Sequence, residues 1–234
     1  MIHLKNHSPV IVLGMHRSGT SILSKLVSEL GVGMGFPRNG HIEDQRFKAL
    51  NKHIMAVCHA SWDFPLGCRA LYENDDFRDL VVQKVWQDMK VHLPDLWLRR
   101  RSWGWKDPRS LATLPVWTRL FPNARTITVV RNATEVSESL VKRERNRTGF
   151  LSSAARGLGS IRCTSSAGAL ALIEEYSWFT ENDESFGLSD RKLQIAYSEM
   201  IENPLETVLK LQNFLEIDPT PSRTLEISRL IEQR

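Results

Sequence analysis

The chain has 234 residues, 41% of them hydrophobic and 25% charged, which supplies a substantial core and excludes wholesale disorder. A formal net charge of +4 favours an anionic partner without choosing among nucleotide, glycan and nucleic acid. No apolar run is long enough for a membrane span, Met1 to Ser8 lack an apolar signal region, and Cys58, Cys68 and Cys163 show no paired spacing that would predict a disulfide scaffold or a zinc site.

Pro9 to Leu13 reads as a short strand, broken at Gly14. From Thr20 the residues Ile22, Leu23, Leu26, Val27 and Leu30 share one helical face, and Gly31 and Gly33 are expected to end that helix. Residues 34–44 are expected to form a loop, followed by a helix from Asp44 to about Cys58. Residues 59–77 carry no clear period; a helix over roughly 78–93 stops near Pro94. Trp103 to Trp105 predict a strand that delivers Lys106, Asp107, Pro108 and Arg109 to its end, with a helix over Ser110 to Phe121 behind it. The β-branched run Arg125 to Val130 is a strand, Arg131 ends it, and a helix with Val136, Leu140 and Val141 follows. Residues 146–168, rich in Gly, Ser and Arg, predict a long loop, a candidate lid. A helix near 168–181, a strand over Leu193 to Tyr197, a helix from Pro204 to Leu215 and a short terminal helix complete the pattern.

Strands alternating with helices predict a three-layer α/β fold, with a mainly parallel central sheet covered by helices on both faces and ligands at the carboxyl ends of its strands. One domain is expected over 1–234. Gly14, Lys106 and Arg131 each follow a predicted strand and so are expected to converge on one crevice.

Gly14, Met15, His16, Arg17, Ser18, Gly19, Thr20 and Ser21 carry the glycine spacing of a phosphate-binding loop, between strand and helix where that loop must lie. Backbone N–H groups and a helix N-terminus favour an anion there, the hydroxyls of Ser18, Thr20 and Ser21 add donors, and Arg17 adds a permanent charge. A nucleoside-triphosphate enzyme would carry Lys after the second glycine, where Thr20 stands, and an Asp at the end of a strand, where Arg131 stands. Charge neutralisation is therefore expected from side chains, with no metal. A second anion pocket is expected from Arg131, Ser139 eight residues on, and Arg143 one helical turn further; the alternative is a solvated basic helix face, given Lys142, Arg145 and Arg147.

These residues together resemble the sulfotransferases that use 3′-phosphoadenosine 5′-phosphosulfate (PAPS). The resemblance runs from about Val10 to Leu215. It implies a P-loop-type nucleotide fold in which Arg17-Ser18-Gly19-Thr20-Ser21 meets the 5′-phosphosulfate side, Arg131 and Ser139 meet the 3′-phosphate, and Arg143 is similar to a further 3′-phosphate ligand of the tyrosylprotein branch. Lys106-Asp107-Pro108 resembles that branch and bacterial relatives, in which the lysine assists transfer, and Tyr197 with Asn203-Pro204 fits a familiar C-terminal pattern. The R-K-G-x-x-G segment of the cytosolic branch is absent from this sequence, which points toward the bacterial, carbohydrate and tyrosylprotein branches. Glu43 resembles the base of many such relatives; the same position also suits a helix-start charge, and Asp44 is the substitute.

The expectation is a transferase in which Glu43 activates the acceptor while Lys106 and Arg17 stabilise developing charge. Its partners are PAPS and a small-molecule, glycan or peptide acceptor, with no nucleic acid, and its expected location is the cytoplasm. Competing readings are a small-molecule kinase, requiring ATP and magnesium, and a non-catalytic nucleotide-binding module. Acceptor identity and oligomeric state are not legible in the sequence.

Overall fold

The computed structural model describes residues 4, 7–35, 44–89, 102–148, 160–183 and 189–232. Its centre is a five-stranded, all-parallel sheet in the order β2-β3-β1-β4-β5, formed by β1 (Val10–Leu13), β2 (Gly33–Met34), β3 (Trp103–Lys106), β4 (Arg125–Val130) and β5 (Lys192–Ala196). The middle strand β1 is buried on both faces, which is why its sequence is continuously apolar rather than alternating. Ile11 and Leu13 enter one core with Trp105; Val10 and Val12 enter the other with Ile127 and Val129.

Helices cover both faces. The Val10 face carries α1 (Thr20–Glu29), α9 (Pro204–Leu215) and α10 (Pro221–Glu232), through Leu23, Leu26, Leu211 and Ile227. The Ile11 face carries α2 (Gln45–Val57), α4 (Asp75–Met89), α5 (Ser110–Leu120), α6 (Ala133–Thr148) and α7 (Ser166–Glu181). The three layers match the expected architecture. Phe47, Trp103, Trp105, Trp117 and Phe121 form one aromatic nucleus on that face, with Phe47 stacked on Trp105 at 4.0 Å. Pro115 sits inside α5 and has no N–H for the carbonyl of Leu111; the Tyr72 hydroxyl donates to that carbonyl instead, at 2.6 Å. No described helix is long and apolar enough to cross a membrane.

Several boundaries differ from the sequence expectation. Gly31, at φ 97°, follows the end of α1, but Gly33 is in strand β2, paired beside Trp103, rather than in a helix stop. Residues 59–77 hold a 3-10 turn (Pro65–Arg69), the short helix α3 (Ala70–Glu73) and the start of α4, whose first turn carries Asp75 and Asp76. Both ends of the expected loop over 146–168 are helical: α6 runs to Thr148, a 3-10 turn spans Ile161–Thr164, and α7 begins at Ser166 with the Ser165 hydroxyl accepting from the Gly168 N–H. The middle of that segment, the candidate lid, lies outside the described residues. Strand β5 ends at Ala196, and Tyr197 opens the helix α8 (Tyr197–Glu202) instead of closing the strand.

Candidate active site

The site is built at the carboxyl ends of β1, β3 and β4. After Leu13 the chain turns through Gly14 (φ 142°), Arg17 (φ 70°) and Gly19 (φ 106°). These positive angles turn the backbone tightly between β1 and α1, and holding Arg17, a residue with a Cβ, in this region costs conformational energy of the kind stored at functional loops. A Cβ on Gly14 would lie 2.7 Å from the Val129 carbonyl oxygen and 2.8 Å from Ser18 Oγ, so only glycine fits. The buried Ser18 hydroxyl donates to the Met15 carbonyl at 2.7 Å and closes the loop internally. Thr20 is buried, Ser21 is exposed, and the first turn of α1 has no acidic side chain to compete with a bound anion.

Arg17, Arg131, Ser139 and Arg143 line one cavity of about 620 Å³, together with Lys142 and Glu135. Arg17 Nε donates to Ser139 Oγ at 2.9 Å, and an Arg131 Nη1 donates to the Arg17 carbonyl at 3.2 Å, so the phosphate loop and the β4–α6 corner are bonded directly. Arg131 also donates to Glu135 at 2.8 Å, an exposed i,i+4 pair that contributes little by itself. The Arg143 guanidinium pairs with the buried carboxylate of Glu144 at 2.8 Å. Four cations against Glu135 and Glu138 leave this cavity net positive. A second cavity of about 400 Å³ opens beneath the loop, lined by Gly14, Ser18, Arg131, Val136, Tyr176 and Lys192 among others.

Lys106 ends β3 and is 6% exposed. It pairs in register with Val12, which places it at the same sheet edge as Gly14. It is not among the residues lining either cavity. The turn after it is fixed by a buried polar network. Asp107 accepts from Asn51 Nδ2 at 3.0 Å and pairs with Arg109 at 2.9 Å, the loop-orienting role that suits those two residues. Asn51 Nδ2 also donates to Ser110, while Asn51 Oδ1 receives Thr113 Oγ1 at 2.6 Å and Trp117 Nε1 at 2.8 Å. Trp105, Trp117 and Trp103 are therefore packing residues.

Glu43 lies outside the described residues. Asp44, its substitute as base, is 2% exposed and serves as the N-cap of α2, accepting from the Arg46 N–H at 2.9 Å and pairing with the Arg46 side chain. That engagement suits a structural carboxylate. His16 is half-buried with its ring edge-on to Trp62, centroids 5.0 Å apart.

Sequence reasoning gave Tyr197 no site role, yet its ring lies under the Arg131 guanidinium at 4.1 Å. It also fills the space against Gly19, where a Cβ would come within 2.5 Å of Tyr197 Cδ2. The available signal was its place at the carboxyl end of β5, the sheet edge where ligands bind. Trp62, beside both His16 and Arg143, had no such signal.

A family model described as the sulfotransferase family matches residues 9–221, a span from β1 to the start of α10 that contains every residue of both candidate anion sites. The chain belongs to the sulfotransferase family. Among solved structures, this sulfotransferase is similar to one from Mycobacterium avium (TM-score 0.59, 15% identity, covering 97% of this chain and 68% of that one). A sulfotransferase from Alicyclobacillus acidocaldarius gives a TM-score of 0.55 at 12% identity, covering 97% and 92%. A mouse sulfotransferase solved in complex with PAP gives 0.54 at 14% identity, covering 98% and 65%. At these identities the likeness is one of fold. None of the curated proteins compared is a significant match.

Proposed function

We propose that this sulfotransferase takes its sulfuryl group from PAPS and passes it to a hydroxyl or amine of an acceptor, releasing adenosine 3′,5′-bisphosphate. The observation that carries the reading is the single cavity shared by Arg17 of the phosphate loop and by Arg131, Ser139 and Arg143 of the β4–α6 corner. A nucleotide phosphorylated at both 5′ and 3′ positions needs two anion sites close together, and the Arg17–Ser139 and Arg131–Arg17 hydrogen bonds bring the two segments side by side. A triphosphate would present its charges in a single chain and would call for a lysine where Thr20 stands.

In the proposed reaction the acceptor oxygen or nitrogen forms a bond to sulfur as the bond from sulfur to the 5′-phosphate oxygen breaks. The acceptor proton passes to Glu43, and the leaving phosphate keeps the electron pair. Donors from the phosphate loop, Arg17 and Lys106 stabilise charge on the sulfuryl oxygens and the leaving group, a preorganised electrostatic contribution. In this structure Arg17 Nε donates to Ser139 Oγ, so Arg17 acts from a position shared with the proposed 3′-phosphate residues. Protein cations suffice for a group that carries less charge than a terminal phosphoryl group.

The test is incubation with PAPS labelled in its sulfuryl group and a mixed panel of sugars, phenols, peptides and lipids, followed by mass spectrometry. Label appearing in an acceptor with equal release of adenosine 3′,5′-bisphosphate is the expected result. Tighter calorimetric binding of ATP with magnesium than of the bisphosphate would sink the reading in favour of a kinase. Bisphosphate binding with no transfer to any acceptor would favour a non-catalytic module.

A further inference from the structure

Trp62 belongs to the segment over residues 59–77 that has no period in the sequence, and nothing in the sulfuryl-transfer reading uses it. Its indole stands between the two anion-binding segments. His16 of the phosphate loop meets it edge-on at 5.0 Å, and the Arg143 guanidinium lies over its face at 4.9 Å. The backbone that carries the ring is held from behind. The Tyr176 hydroxyl donates to the Trp62 carbonyl at 2.9 Å, and Arg162 donates to the next carbonyl, that of Asp63, at 2.8 Å while forming a two-pronged pair with Glu175. Burial pushes the Tyr176 hydroxyl far up from its ordinary range, so it stays a donor at any working pH. The indole, packed against the core of the Ile11 face, thus stands on a pinned backbone.

We propose that Trp62 is a positioning residue for the nucleotide's 3′-phosphate, acting by holding the Arg143 guanidinium in the cavity it shares with Arg131 and Ser139. This inference rests on the PAPS reading. A guanidinium with a carboxylate along one edge and an aromatic face beneath it has few orientations left, and the side chain that carries it lines the cavity. Arg143 itself would touch the phosphate; Trp62 would not.

The test is calorimetric titration of the full chain with adenosine 3′,5′-bisphosphate and, in parallel, with adenosine 5′-monophosphate, which lacks the 3′ group. Trp62→Leu keeps bulk but removes the aromatic face, and Trp62→Phe keeps a face. Trp62→Leu is expected to weaken the bisphosphate about fivefold and leave the monophosphate within about twofold, with Trp62→Phe restoring most of the loss. In an Arg143→Ala background, Trp62→Leu is expected to cost nothing further, because the two act as one unit. Equal weakening of both nucleotides, or a Trp62→Leu effect that persists without Arg143, overturns the proposal. If the unmodified protein shows no preference for the bisphosphate, the donor-site reading falls with it; if that preference is present and Trp62→Leu keeps it whole, only the role of Trp62 falls.

Discussion

Arg131 has three engagements at once: the Arg17 carbonyl, the Glu135 carboxylate and the face of Tyr197. On the proposed reading its truncation removes a charge-assisted donor to the nucleotide, together with the contact that ties the phosphate loop to the end of β4. Arg131→Ala is therefore expected to weaken adenosine 3′,5′-bisphosphate binding by about 2–3 kcal/mol, read by calorimetry. In the proposed mechanism Lys106 and Glu43 belong to the chemical step rather than to binding. Lys106→Ala and Glu43→Gln are each expected to lower turnover on the order of a hundredfold while nucleotide affinity holds, and near-normal turnover in either variant removes that residue from the mechanism. Gly19→Ala acts differently from both, since its new Cβ meets the Tyr197 ring and its φ of 106° is strained for any L side chain. A loss of about 2 kcal/mol in stability is expected by urea denaturation, with nucleotide binding lost in step.

At the scale of elements, the β3–α5 turn depends on Asn51 from α2, a residue distant in sequence whose amide uses both its donor and its acceptor atoms on four partners. Asn51→Leu would take one buried partner each from Asp107, Ser110, Thr113 and Trp117; a loss of about 3 kcal/mol in chemical denaturation is expected, and turnover falls with it because Lys106 is anchored by the same turn. The elements most legible in the sequence were those where a strand, a glycine or arginine and an amphipathic helix follow in order: β1 into α1 and β4 into α6. Their local pattern and tertiary role agree. Strand β2 was illegible because two residues carry no period, and Gly33 reads equally well as a helix stop. Its identity comes from pairing with Trp103 across the sheet. Arg17 and Ser139 could each be nominated from motif spacing, but their mutual hydrogen bond spans segments 122 residues apart and only the folded chain shows it. Tyr197 and Trp62 escaped for the same reason, since their partners are set by the fold and not by neighbours in sequence.

For the whole molecule, a ligand that bridges the loop and the β4–α6 corner couples elements on both faces of the sheet, and its binding energy adds to global stability. With adenosine 3′,5′-bisphosphate at about one hundred times its dissociation constant, stabilisation of about 2.7 kcal/mol is expected, a rise of several degrees in the melting temperature of a domain this size. Adenosine 5′-monophosphate at equal concentration is expected to give a clearly smaller rise, and equal shifts would speak against a built 3′ site.

The Arg17–Ser139 bond links two segments that are far apart in the chain. It ties a side chain of the β1–α1 loop to α6, and the Ser139 hydroxyl that accepts from Arg17 keeps its own O–H to donate to an anion. On the proposed reading one hydroxyl thus relays between the two ends of the cosubstrate, and Ser139→Ala is expected to lower nucleotide affinity and turnover together.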